Sequence, residues 1–198
     1  MALRIAVGAR LDVLPARLVE SETRTIPELT ANARLGLPLG FSVDANLSAI
    51  VVTNELSLGA AWSLRLGDVS LQVHDRIAFW YGVLGTQGFD ARGYGFLDYP
   101  GLAVGVPWGD TRFSLSGEVI VSLSQHVALG DSPTLSRSRV SAVGTQATLI
   151  VENLLPGGGD WYYGAGIVNA SPQYEAWVAF SDSRARLPYP RFLAGYAF

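Results

Sequence analysis

The sequence contains neither cysteine nor lysine. The absence of cysteine excludes disulfide bonds and thiolate metal sites. All 14 basic residues are arginine, although lysine is the cation that usually solubilises an exposed protein surface. Charged residues make up only 16% of the chain, whereas about a quarter is typical of a soluble domain. This composition therefore does not predict a conventional water-exposed surface.

Long apolar runs and an excess of positive charge are also missing. No stretch approaches the roughly 18 consecutive apolar residues of a membrane-spanning helix, since even the run 77–84 is followed at once by Gly85. The net charge of -3 counts against nucleic-acid binding, and the apolar content of 49% counts against disorder. The N-terminus shows no apolar signal segment. If the protein is exported, we therefore expect this sequence to be that of the mature chain.

The sequence does contain a strong alternation of period two. Apolar residues occupy the odd positions from Leu3 to Val13, and the even positions between them include charged residues. Because successive side chains of a β-strand point to opposite faces, this period predicts strands with one apolar and one polar face. The same alternation returns over 29–37, 41–51, 56–66 and 113–123.

The length of these segments favours a membrane barrel. They run for about 9–13 residues between Pro-, Gly- and Asp-rich turns and longer polar connections, whereas strands of soluble proteins average about 5–6 residues. A soluble barrel or sandwich is the alternative, but the polar face is rich in Gly, Ser and Ala, which suits a crowded interior. We predict an all-β fold, a transmembrane antiparallel up-and-down β-barrel that forms a single domain over 1–198.

The C-terminus carries the one recognisable motif. The chain ends in Phe198, and aromatic or apolar residues, including Tyr196 and Phe192, occupy every second position before it. This ending resembles the C-terminal strand of bacterial outer-membrane β-barrel proteins, in which the terminal aromatic residue is the signal for the barrel-assembly machinery. The resemblance implies location in the bacterial outer membrane, with lipid and the assembly machinery as partners, and we expect a monomer.

The number of strands is left open between ten and twelve. Single-chain bacterial barrels have even strand numbers, yet the pattern contains eleven segments. A turn at Tyr99-Pro100-Gly101 would divide one segment and give twelve strands, the favoured count. A bulge at 169–172 would instead join two segments and give ten. The segments are 3–13, 28–38, 41–53, 56–66, 69–83, 92–106, 112–124, 139–152, 160–168, 173–181 and 189–198.

If the apolar face contacts lipid, the polar face lines the interior. Seven arginines and four acidic residues then point inward, which predicts a lining with a charge of +3. One interpretation is a network of ion pairs that braces a narrow barrel. The other is a small water-filled pore that favours anions. The predicted lining residues are Arg4, Arg10, Arg34, Asp44, Arg65, His74, Arg76, Arg112, Glu118, Glu152, Glu175 and Arg191.

Catalytic and metal-binding candidates are few. Ser124, His126 and Glu152 could supply a nucleophile, a base and an orienting acid, but no motif of a known membrane hydrolase accompanies them. With two histidines and no cysteine the sequence predicts neither a metal site nor a cofactor. We therefore expect no enzyme activity.

Three functions follow from these observations. The favoured one is a narrow passive channel for small, mainly anionic solutes. The alternative is a non-conducting structural or surface-interaction barrel that acts through its loops, and a membrane-embedded hydrolase is the least favoured.

Overall fold

The computed structural model describes residues 2–15, 25–50, 53–86, 89–130, 135–137, 140–154, 159–171 and 186–198. The described chain is almost entirely β-strand, with one short 3-10 turn at Pro38–Gly40. The strands are β1 Ala2–Val13, β2 Thr25–Gly36, β3 Phe41–Ala49, β4 Thr53–Leu66, β5 Val69–Thr86, β6 Phe89–Asp98, β7 Gly101–Trp108, β8 Thr111–Leu129, β9 Leu135–Arg137, β10 Ser141–Leu154, β11 Asp160–Ala170 and β12 Leu187–Ala197.

Antiparallel pairing closes these strands into a barrel. Each strand from β1 to β5 pairs with the next, and the ring continues through β6, β8, β10 and β11 to β12. Closure comes from β12, which pairs with β1 from Ala6↔Ala197 to Asp12↔Arg191. The Phe198 amide adds a hydrogen bond of 2.7 Å to the Ile5 carbonyl. The predicted fold class, an antiparallel transmembrane β-barrel, is confirmed.

The wall has ten strand positions in the described part of the chain, because two positions are each shared by two strands. β6 and β7 both lie between β5 and β8, and the Tyr99 amide still donates to the Arg76 carbonyl at 2.9 Å. Pro100 has no amide hydrogen, so it interrupts the ladder, but it does not reverse the chain. The predicted division of this segment at Tyr99-Pro100-Gly101 is confirmed, since β6 and β7 are separate strands. The chain does not reverse there, however, so the two strands share one position in the wall, and the ring has ten positions rather than the favoured twelve.

The second shared position belongs to β9 and β10, which pair along the same edge of β8. The predicted segments 3–13 to 160–168 and 189–198 coincide with strands, whereas 173–181 lies outside the described residues. That segment is not needed to close the ring, since β11 pairs directly with β12 from Asp160↔Ala197 to Ala170↔Leu187.

The two ends of the barrel differ. Short turns at Pro38–Gly40, 67–68 and 109–110 lie at one end, together with Ala2 and Phe198, and we call it the turn end. The opposite end is called the loop end. Gly67 and Gly109 adopt positive φ angles of 62° and 59°, which two-residue turns between twisted strands require.

The outer surface is apolar between two groups of aromatic side chains. Trp62, Trp108 and Trp161 are exposed near the turn end, and Phe79 and Phe96 are exposed toward the loop end. Leucine, isoleucine and valine side chains are exposed between these groups, where water contact would be unfavourable. An apolar band between two aromatic girdles is the outer face of a transmembrane barrel.

One acidic pair interrupts this band. Asp75 is exposed between Val73 and Ile77, and Asp98, which lies opposite Ile77 in the β5–β6 pair, shares this face with it. The β4–β5 register runs without a shift past Asp75, so the outward direction of this side chain follows from the strand parity.

Among the described residues, no helix has the length and hydropathy required to cross a bilayer.

Candidate functional site

The inward face of the strands surrounds a cavity of about 810 Å³ that extends from the turn end into the barrel. Inward positions follow strand parity, so side chains two residues apart on one strand meet the same interior. Eleven of the twelve predicted lining residues border this cavity, and Glu175 lies outside the described residues. The eleven are Arg4, Arg10, Arg34, Asp44, Arg65, His74, Arg76, Arg112, Glu118, Glu152 and Arg191.

On the loop-end side of this cavity, a chain of buried polar contacts crosses the interior. We call this chain of contacts the transverse network. On one side of the barrel, Arg191 of β12 binds Asp12 of β1 with two parallel hydrogen bonds of 2.7 and 2.8 Å. The third guanidinium nitrogen of Arg191 donates to the side-chain oxygen of Gln146 at 2.7 Å. Arg10 extends this side by contacting Asp12 at 3.9 Å and Glu28 more closely.

Glu118 of β8 is the centre of the opposite side. The side-chain amide of Gln146 donates to it, so Gln146 joins the two sides. Arg76 donates to both Glu118 oxygens, at 3.3 and 2.9 Å, and His74 contacts one of them at 2.9 Å. The bidentate geometry fixes the guanidinium plane, which a single contact would not do.

The network ends against β4 and β6. The Arg76 guanidinium lies 4.0 Å from the centre of the Tyr99 ring and 3.9 Å from Glu55. The Tyr99 hydroxyl donates to Glu55 at 3.0 Å. Contacts therefore run without interruption across the lumen, from β2 and β1 through β12, β10 and β8 to β5, β4 and Tyr99, which follows β6.

An apolar layer closes the interior on the loop-end side of the network. Trp80 and Leu97 are each 4% exposed and belong to one cluster with Ile120, Val168 and Tyr189. A small cavity of about 50 Å³ lies between this layer and the network. On its network side it is bordered by Arg10, Arg76, Gln146 and Arg191. Two successive layers, one ionic and one apolar, thus separate the large cavity from the loop end.

A second ionic group lies at the turn end. Arg4 contacts Asp160 at 2.6 Å and Glu152 at 3.0 Å, and Arg112 contacts Glu152 at 3.6 Å. Across the cavity, Arg34 lies 3.9 Å from Asp44. These arginine side chains are 35–46% exposed, in contrast to the 7% exposure of Arg191 in the network.

The interior is electrically balanced over the described residues, so the predicted charge of +3 is wrong. Each of seven carboxylates makes an ion pair with one of the inward arginines. Strand parity places all seven inward, but the predicted lining included only three of the seven. The four omitted carboxylates are Asp12, Glu28, Glu55 and Asp160.

The structure does not bring the candidate catalytic residues together. His126 stacks on the outward ring of Tyr94, with ring centres 4.7 Å apart near the loop end. A register shift in β8 beside Phe96 places Ser124 on the same outer face as His126. Glu152 faces the interior at the turn end, so the three side chains cannot form a triad.

The C-terminal aromatic residues lie on the outer face. Phe192 is 48% exposed and Phe198 is 69% exposed. Tyr196 makes edge contacts with Trp161 and Phe198, with ring centres 5.2 and 4.9 Å apart. An exposed terminal aromatic is accessible to a recognition protein before insertion, and its assembly role stays a prediction.

Comparisons with known proteins point to the same fold. No family model and no curated protein matches the chain. The chain is similar to the outer membrane protease OmpT from Escherichia coli, at 8% identity and a TM-score of 0.53, over 99% of this chain and 96% of that one. It is also similar to the translocator domain of the autotransporter NalP from Neisseria meningitidis, at 11% identity and a TM-score of 0.48, over 99% and 88% of the two chains. The KdgM porin matches at 8% identity and a TM-score of 0.49, over 98% of both chains.

These proteins are named for different activities, so the likeness concerns the fold alone. It agrees with the closed antiparallel ring. The likeness is consistent with the predicted class and location: the chain has the fold of the integral β-barrels of the bacterial outer membrane.

Proposed function

We propose that the protein is a closed barrel that does not conduct solutes in its resting state and acts at the cell surface through its loop end. The observation that carries this proposal is the double closure of the lumen by the transverse network and the apolar layer. A hydrated solute would have to displace the Arg191–Asp12 and Arg76–Glu118 pairs and then cross packed apolar side chains. Both steps are energetically costly.

The loop end has the dimensions of a surface-interaction module. β5 and β8 contain 18 and 19 residues, compared with 12 in β1 and β2. Phe79 belongs to the group of aromatic side chains toward the loop end. Beyond Phe79, β5 continues for seven residues, or about 23 Å along the strand. In outer-membrane barrels the short turns face the periplasm and the opposite end faces outward. The longer strands therefore present β5, β6 and β8 beyond the outer leaflet.

A narrow channel for small solutes is the second candidate. It is supported by the 810 Å³ cavity, which opens the barrel interior from the turn end as far as the transverse network. The network above it is held by non-covalent contacts around Glu118, and their rearrangement would open a route to the apolar layer. In this proposal the network is a gate rather than a permanent closure.

Ion efflux from proteoliposomes distinguishes the two proposals. The closed barrel predicts chloride efflux equal to that of protein-free liposomes, both for the native chain and for Glu118→Gln, because the apolar layer remains. The channel predicts efflux from the native chain that Glu118→Gln accelerates, whereas Arg92→Gln, an outward side chain that is 68% exposed, leaves the rate unchanged. Comparison of heated and unheated samples on a gel establishes the folded fraction of each variant.

A further inference from the structure

We propose that the turn-end cavity is a binding site for a small solute that carries an oxyanion, such as a phosphate or carboxylate group. Arg34, Arg65 and Arg112 would hold the anionic group. This site goes beyond the proposed function, since a barrel that conducts nothing and a barrel that acts through its loops both leave the cavity unexplained.

The cavity has the form of a ligand pocket. Its volume of about 810 Å³ falls within the range of roughly 300–1,000 Å³ that small-molecule sites occupy. The transverse network closes it on one side, and the turn end leaves it accessible on the other. A solute entering from the turn end would therefore meet a blind pocket.

Three exposed arginines border this pocket, together with the exposed carboxylate of Asp68 in the turn 67–68. The carboxylates paired with Arg34 and Arg112 are much less exposed than the arginines themselves. The Arg34 side chain is 45% exposed, whereas its partner Asp44 is only 8% exposed. The Arg112 side chain is 46% exposed, whereas its partner Glu152 is 16% exposed. The carboxylates thus lie against the wall and the guanidinium groups face the cavity.

The ion pairs of these arginines are also weak. Arg34–Asp44 and Arg112–Glu152 measure 3.9 and 3.6 Å, which exceeds the length of a charge-assisted hydrogen bond. Asp44 accepts a hydrogen bond of 3.1 Å from Asn46, and Glu152 is bound by Arg4 at 3.0 Å. Each carboxylate therefore has a second partner that would remain if its arginine turned toward a ligand.

Arg65 is the least neutralised of the three. It donates to the Gly67 carbonyl at 3.0 Å, and within the described ranges no carboxylate lies at ion-pair distance from it. A guanidinium group offers five donors in a planar fork that matches carboxylate and phosphate oxygens. Three such groups around one pocket favour an oxyanion over a neutral solute.

The surrounding side chains suit the uncharged part of such a solute. Ser42, Ser63, Ser114 and Gln72 border the same cavity and offer hydroxyl and amide groups. A small polar organic phosphate or carboxylate would use these groups, whereas an apolar compound would leave them without partners.

Calorimetric titration of the refolded full-length barrel in an uncharged detergent tests the site. The probes are inorganic phosphate, glycerol 3-phosphate, citrate and, as the neutral control, glycerol. We expect saturable binding of one or more of the anions, no binding of glycerol, and a decrease in affinity as sodium chloride is raised. A short-chain phosphatidic acid below its micellar concentration distinguishes a lipid headgroup from a free solute as the source of the anion.

Single-residue variants test which arginines contribute to anion binding. Arg34→Gln, Arg65→Gln and Arg112→Gln should each weaken binding about tenfold, because each loses a charge-assisted contact. Arg112→Lys retains the charge and should recover part of the affinity, and Arg92→Gln at the loop end should change nothing. Heat-dependent gel migration confirms that each variant is folded.

The proposal is overturned if the native barrel binds none of the anions, or if Arg92→Gln weakens binding as much as the cavity variants do. It is also overturned if glycerol binds as tightly as glycerol 3-phosphate. Since ion efflux is not part of this experiment, its outcome is separate from the test of barrel closure.

Discussion

Replacement of Arg191 by methionine perturbs the transverse network at its most buried point. The Arg191 side chain is 7% exposed and that of Asp12 is 3% exposed, so water compensates for neither charge. Methionine has a similar length and removes the two bonds to Asp12 together with the bond to Gln146. The Asp12 carboxylate is then left buried, and Arg10, 3.9 Å away, is its remaining ion-pair partner among the described residues.

The magnitude follows from this geometry. Breaking a buried ion pair by removing one partner costs about 3–5 kcal/mol, and we expect Arg191→Met to lower the free energy of unfolding by that amount. Replacing both partners with apolar side chains is often close to neutral. The double variant Arg191→Met with Asp12→Leu should therefore recover most of the loss, while Arg10 keeps its pairing with Glu28.

Equilibrium unfolding in urea, with the barrels refolded into lipid vesicles, measures these differences through the fluorescence of the five tryptophans. Arg112→Met is the matched control, because its side chain is 46% exposed and its ion pair measures 3.6 Å. An exposed pair contributes about 0–1 kcal/mol. The reasoning is refuted if Arg191→Met is no more destabilising than Arg112→Met, or if the double variant is as unstable as the single one.

Three further predictions concern the wall and its assembly. The double variant Asp75→Leu and Asp98→Leu should raise the free energy of unfolding in vesicles by about 1 kcal/mol, because it removes polar groups from the lipid-facing band; a loss of stability would contradict this. Gly195→Ala should lower it by about 1–3 kcal/mol, since the added methyl group would collide with Tyr162 and the Val7 carbonyl, whereas Gly117→Ala, which points into open space, should have less effect in the same unfolding assay. Phe198→Ala should reduce the heat-modifiable barrel recovered from outer membranes of expressing cells, and unchanged recovery would remove the assembly role from this residue.

Strand parity predicted which side chains lie on the two faces of the wall. Within a strand, a side chain points inward or outward according to its position alone, so no knowledge of distant residues is needed. Leu3, Ile5 and Val7 are exposed on the outer face as the alternation requires, and Arg4 and Arg10 face inward. In the described strands, the inward and outward positions change parity where an extra residue enters a strand. The register shifts beside Phe96 in the β6–β8 pair and between Ala142 and Gly144 in the β10–β8 pair are not visible in the alternation.

The sequence allowed a network of ion pairs that braces the barrel, but the residues that form it were not predictable in this way. Asp12 and Arg191 are 179 positions apart, and they meet only because β12 closes the ring against β1. The apolar layer was missed for a related reason. Trp80 and Ile120 are on the inward face near the loop end, where the interior is packed rather than filled with water. Depth along the barrel axis, which separates these residues from the cavity, depends on strand tilt and stagger rather than on period two.

The most direct test of the closed lumen is single-channel recording of the refolded native barrel in a planar bilayer. A closed lumen predicts that insertion of folded protein, verified by heat-dependent gel migration, produces no conductance steps. Discrete, reproducible steps from the native chain would contradict it, and a reversal potential under a salt gradient would then show whether the open path favours anions.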